Sequence, residues 1–84
     1  MAQELERSRL IAAGREAEAA LACLRPMLKR KREQALERLS KPSNMELERR
    51  LVAELQAYQA IEDEFVRDVQ AGRIAERQQV EEGE

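Results

Sequence analysis

Apolar residues in the second half of the chain recur at intervals of three and four: Leu47, Leu51, Leu55, Tyr58, Ile61, Phe65, Val66 and Val69. That spacing keeps them on one face of an α-helix. It continues from Asn44 to about residue 79, and so predicts one helix of roughly 54 Å at 1.5 Å per residue. In the first half, Leu10, Ala13, Ala17, Leu21, Leu24 and Leu28 form a second stripe, which Ala35 and Leu39 resume after a basic run. Pro26 lies inside it. A proline within a helix removes one backbone hydrogen bond and clashes with the preceding turn, at about 3 kcal/mol, yet it sits comfortably in the first turn of a new helix. The first helix, about 3–39, is therefore expected to be interrupted near 22–26. Either a kink or a break into pieces at about 3–23 and 26–39 would serve, giving two helices or three.

The two stripes are separated by "LSKPSNMELERRL". Pro42 pushes Lys41 out of the helical region. Ser43 stands three residues before Glu46, the spacing of a reciprocal capping box. These signals predict a turn at 40–43 and a helix from Asn44. Past Gly72 the second stripe thins, and the closing "EEGE" is acidic where the helix dipole favours bases, so a frayed acidic tail is expected over 80–84.

Nearly the same six residues occur at both ends: Ala13-Gly14-Arg15-Glu16-Ala17-Glu18 and Ala71-Gly72-Arg73-Ile74-Ala75-Glu76. If the chain folds back as an antiparallel hairpin, facing residues have numbers with a constant sum. Gly14 and Gly72 then face each other when the midpoint is Ser43, inside the turn located independently. The hexapeptides would lie side by side, glycine and alanine permitting close backbone approach and each Arg reaching a Glu across the seam.

Composition agrees with this shape. Of 84 residues, 38% are charged and only Tyr58 and Phe65 are aromatic, the profile of long helices or coiled coil rather than of strands. The fold class expected is all-α: a single helical domain, 1–84, built as an antiparallel hairpin. A pair of helices buries little, and the second stripe is wider than one alanine-rich partner covers, so assembly into a dimeric helical bundle is expected through Leu21, Leu24, Leu28, Leu51, Leu55, Tyr58, Glu62, Phe65 and Val69. The net charge of −2 conceals an excess of bases over residues 25–41 and of acids over 54–84, halves that a folded-back chain brings together.

Two charged residues fall on the apolar faces. At 100° per residue, Glu62 projects about 20° from Leu51 and Lys31 about 20° from Leu24. A buried charge needs a partner, but under the hairpin rule these two are about 10 Å apart along the axis. One reading has Glu62 reach Arg25 while Lys31 extends outward over its own stem. The other has Glu62 meet Arg25 or Lys31 of a neighbouring copy and fix the register of a four-helix assembly.

The sequence offers little to catalysis. Histidine is absent and there is one cysteine, which removes the commonest general base and a thiolate metal site. Cys23 is expected as a small hydrophobe at least partly buried, in a reducing compartment. No phosphate-binding glycine loop occurs, and Glu62, Asp63 and Glu64 point different ways around a helix. No enzyme activity, catalytic residue, metal, cofactor or small-molecule ligand is expected. Nor is a membrane span or signal peptide, since Glu4 and Glu6 interrupt the start of the chain. The run Lys29-Arg30-Lys31-Arg32, with Arg25, is the one candidate polyanion contact. It lacks an aromatic platform for bases and sits in an acidic chain.

The order of "GREAEAAL", a break near a proline, "KREQALERL", a short turn, "LQAYQAIEDEF" and "AGRIAER", covering about residues 10–78, resembles small phage- and prophage-encoded helical proteins of unassigned function. The resemblance implies a viral accessory or assembly protein in a bacterial cytoplasm, and it supplies no functional residues to carry over. "LRPM" at the break, Tyr58 and Phe65 depart from that pattern. The expected function is thus a non-enzymatic interaction module, paired with itself and with another protein. The alternatives are a nucleic-acid-associated packaging or regulatory factor using the basic run, and an inhibitor of a host protein.

Overall fold

The computed structural model describes residues 2–83, which form two long helices joined by a short turn. Helix α1 is Ala2–Leu39 and α2 is Met45–Gly83. They pack antiparallel along their whole length as a rod of 61 × 20 × 15 Å. No strand occurs among the described residues.

Of the two expected outcomes near 22–26, the break into separate pieces with a third helix does not occur: α1 runs as one helix through Pro26. The reason lies in which way the proline faces. Pro26 and Ala22 are exposed, whereas Leu21 and Leu28 on either side are buried against α2. The unpartnered carbonyl one turn back therefore reaches water, and packing on the opposite face carries the helix past the missing bond.

The turn lies where it was expected, but its chemistry differs. Helix α1 ends on Ser40, whose N–H donates to the carbonyls of Leu36 (3.1 Å) and Glu37 (3.2 Å) and whose hydroxyl donates to the Glu37 carbonyl at 2.6 Å. At the start of α2 the cap is Asn44, one residue later than the predicted Ser43: its Oδ1 accepts from the Leu47 N–H at 2.8 Å and its carbonyl from the Glu48 N–H at 3.1 Å. Both residues are good caps; Asn44 prevails because Ser43 turns its hydroxyl to the Glu48 carboxylate, 3.4 Å away. Glu46 therefore closes no capping box. The far end of α2 is also longer than expected. Residues 80–83 are helical rather than frayed, since Arg7 of α1 holds the Glu82 carboxylate through both guanidinium nitrogens. Glu84 lies outside the described residues.

The seam has a seven-residue period. In α1 it is built on the buried Gly14, Leu21, Leu28 and Ala35; in α2 on Leu51, Tyr58, Phe65 and Gly72, of which Leu51 and Gly72 are buried and the two aromatics half-buried. Seven-residue spacing on both helices is the pattern of a coiled coil. Under the register set by Gly14 and Gly72, Leu21 is level with Phe65, Leu28 with Tyr58 and Ala35 with Leu51. The two glycines confirm that register directly. A Cβ on Gly14 would lie 2.9 Å from the Gly72 Cα and 3.0 Å from the Asp68 carbonyl oxygen; one on Gly72 would lie 2.9 Å from both the Gly14 Cα and the Leu10 carbonyl oxygen. At the mirrored hexapeptides the two backbones come so close that there is no room for a side chain between them.

Candidate interaction surfaces

The two flanks of the seam differ in chemistry. On one, Arg15 donates to Glu76 and Arg73 donates to Glu18, each at 3.3 Å. These are the reciprocal pairs that the repeated hexapeptide predicts. Further toward the turn, Glu62 accepts from Arg25 at 3.3 Å and from Arg32 at 2.5 Å. The Glu62 side chain is only 19% exposed, and the Arg32 guanidinium beside it, then Arg25, holds its carboxyl below the usual carboxylate range against the opposing effect of burial. This is the first of the two readings of Glu62: its partners lie in its own chain.

Arg32 is the residue that helical projection missed. Lys31 is exposed, and Arg32 takes the half-buried position instead. The seven-residue seam continues unshifted from Leu28 to Ala35, and Arg32 lies beside it on the flank turned to Glu62, whereas Lys31 lies on the other flank. Arg32 lies seven residues beyond Arg25 and four beyond Leu28, and that spacing was the available signal. Lys31 instead lines a hollow on the opposite flank with Gln34, Arg38 and Glu54.

That opposite flank carries no ion pair along the middle of α1. Leu10, Ala13, Ala20, Leu24 and Met27 follow one another there at helical spacing, with Leu10 44% and Met27 43% exposed. The charged residues of the same stretch lie elsewhere: Arg15, Glu18 and Arg25 on the ion-paired flank and Glu16 on the outer face. On the adjoining side of α2 are Ala57, Ile61 and Ala71, edged by Glu54, Glu64 and Asp68.

Most of the expected assembly residues are engaged within the hairpin. Leu21, Leu28, Leu51 and Val69 are buried in the seam, and Leu24, Leu55, Tyr58, Glu62 and Phe65 are half-buried along it. The candidate polyanion contact is divided. Arg25 and Arg32 are held by Glu62, and the remaining Lys29, Arg30 and Lys31 are exposed at successive angles around α1, so the run does not form one basic face. Cys23 is exposed rather than buried, because the inward positions Leu21 and Leu24 turn it away from α2.

Charge is distributed unevenly along the rod. The turn end, residues 29–50, carries eight bases (Lys29, Arg30, Lys31, Arg32, Arg38, Lys41, Arg49, Arg50) against Glu33, Glu37, Glu46 and Glu48. The open end, residues 2–9 with 76–83, carries Glu4, Glu6, Glu76, Glu81 and Glu82 against Arg7, Arg9 and Arg77. One end is thus net positive and the other net negative. Among the described residues no helix is long and apolar enough to cross a membrane. No protein-family model matches the chain, and no curated protein or solved structure is similar to it.

Proposed function

We propose that this chain is a non-enzymatic interaction module, a coiled-coil rod that pairs with a second copy of itself and offers its remaining helix faces to another protein. The observation that carries the reading is the balance of its apolar residues. Among the described residues seven hydrophobic side chains are buried, three of them alanines, whereas ten large ones, Leu10, Met27 and Ile61 among them, stand exposed along the rod. Two helices with so small a core are marginal alone, and covering part of the exposed set supplies what the hairpin lacks. The resemblance to small phage- and prophage-encoded hairpins points to an accessory or assembly role, with the cytoplasm of a bacterial host as the setting. Sedimentation equilibrium of the pure protein tests the first step. A mass of two chains at micromolar concentration is expected; a single-chain mass up to about millimolar concentration, where even weak pairing of about −4 kcal/mol would register, overturns it.

A second reading rests on the positive turn end, where Lys29, Arg30 and Lys31 form no ion pair among the described residues. Here the protein would contact a polyanion through phosphate. Retardation of duplex DNA at low salt, lost on reversing these three charges, is the expected result on this reading. Absence of retardation at low salt excludes it.

A further inference from the structure

We infer that the flank of α1 carrying Leu10, Ala13, Ala20, Leu24 and Met27 is the seam of an antiparallel homodimer, in which α1 of one copy lies against α1 of the other. This rests on the self-association proposed above and names its surface and its direction.

A two-fold interface must be complementary to itself. With the axis crossing α1 between residues 18 and 19, antiparallel neighbours have numbers that sum to 37. Leu10 then meets Met27 of the second copy and Ala13 meets Leu24, while the half-buried Ala20 lies beside the axis. Each end of the contact pairs two long side chains and each intermediate position sets a leucine against an alanine; next to the axis this flank carries only Ala20, since Ala17 is already buried against α2, so nothing bulky holds the helices apart there. No charged side chain lies on this flank between Leu10 and Met27. The axis also falls close to the middle of α1, Ala2–Leu39, so the two rods overlap along nearly their whole length.

Charge selects the direction. In the antiparallel arrangement the positive turn end of each copy lies beside the negative open end of the other, and Lys31, exposed on this flank, comes level with Glu6 of the second copy. A parallel arrangement would place the two positive ends together. It would also lay the α1 flank on α2 of the other copy at the level of Glu64 and Asp68, pressing carboxylates onto alanine. Like charges opposed across an interface are unfavourable, and a desolvated carboxylate without a partner more so.

The test measures distances between spin labels in dimers carrying Cys23→Ser, with a single label at Ala20→Cys or at Lys41→Cys. The antiparallel seam sets the Ala20 labels within about 20 Å of each other and the Lys41 labels about 65 Å apart, from the rise per residue and the spacing of packed helices. Lys41 labels close together, or Ala20 labels beyond about 30 Å, overturn the inference. Met27→Glu provides an independent check on the unlabelled protein. With helical content kept, it should raise the dimer dissociation constant by at least about tenfold, since it buries a charge in an apolar contact; an unchanged constant overturns the assigned face. A single-chain mass for the wild type removes the self-association reading itself, whereas a dimer with the wrong distances removes only this one.

Discussion

Glu62 gathers two guanidinium groups from α1 onto one half-buried carboxylate, and its charge is therefore tied to folding. Its carboxyl is held below the ordinary range in the folded protein, so the stabilisation it gives is complete above the ordinary carboxylate value and is lost as the pH falls through the lower, folded-state value. Glu82, lowered in the same direction by Arg7, acts over the same window. Thermal unfolding followed by circular dichroism should show a midpoint that is flat from neutral pH to about 5 and falls below about pH 4. Glu62→Gln should reduce that acid dependence without abolishing it, and should cost about 1 kcal/mol at neutral pH. An unaltered acid slope would mean that the Arg25–Glu62–Arg32 cluster is not closed in solution. The Arg25 half of this cluster was legible in the sequence, because the hairpin register alone puts Arg25 and Glu62 side by side. The Arg32 half was not read, since projection measured from Leu24 alone favours Lys31, whereas Arg32 falls about 20° from Leu21. Asn44 went unread for a similar local reason: Ser43 and Asn44 are both good caps, and only the contact from Ser43 to Glu48 decides between them.

At the scale of a helix, Gly14 presents a case in which two effects of opposite sign compete. Replacing a glycine by alanine in a helix interior usually stabilises by about 1 kcal/mol. Here the new methyl would meet backbone, the Gly72 Cα and the Asp68 carbonyl, and neither can step aside as a flexible side chain would. Packing should win: Gly14→Ala is expected to lower the unfolding midpoint, and a raised midpoint would show that the helices do not approach so closely at the open end. This approach was readable beforehand from the repeated hexapeptide and its symmetry about the turn, two features that agree only if the chain folds back there. The behaviour of Pro26 was not readable. The intrinsic cost of a helical proline is known, but whether the helix continues depends on which way the ring faces and on what grips the opposite side. Leu21 and Leu28 supply that grip across the seam. Likewise, the helical end of α2 depends on Arg7, seventy-five positions away in the chain, and no local signal in "EEGE" contains that contact.

For the whole molecule, the question is what a rod 61 Å long and two helices thick does with the apolar surface it cannot cover. The fold-back point and the register were written in the sequence, whereas the face left over was not, because it is defined only once the seam has claimed its own residues. Leu10 and Met27 belong to that remainder; Leu21 and Leu28, equally apolar, do not. If a second copy covers the remainder, folding and association are coupled, and unfolding becomes sensitive to protein concentration. A hundredfold increase should then stabilise the assembly by about 2.7 kcal/mol and raise the midpoint by several degrees, whereas an isolated hairpin would show no change. Salt adds a sign that separates the two directions of pairing. The midpoint itself also falls as salt screens the ion pairs inside each hairpin, so the direction is read from the dimer dissociation constant. With opposite ends juxtaposed, raising the salt toward 0.5 M shortens the screening length well below its value of about 10 Å at 0.1 M, which weakens the attraction between ends and raises that constant. With like ends together the same screening relieves repulsion and lowers it. Melting curves at several protein concentrations therefore report whether the rod pairs, and sedimentation at several salt concentrations reports which way round: an antiparallel dimer requires the midpoint to rise with protein and the dissociation constant to rise with salt.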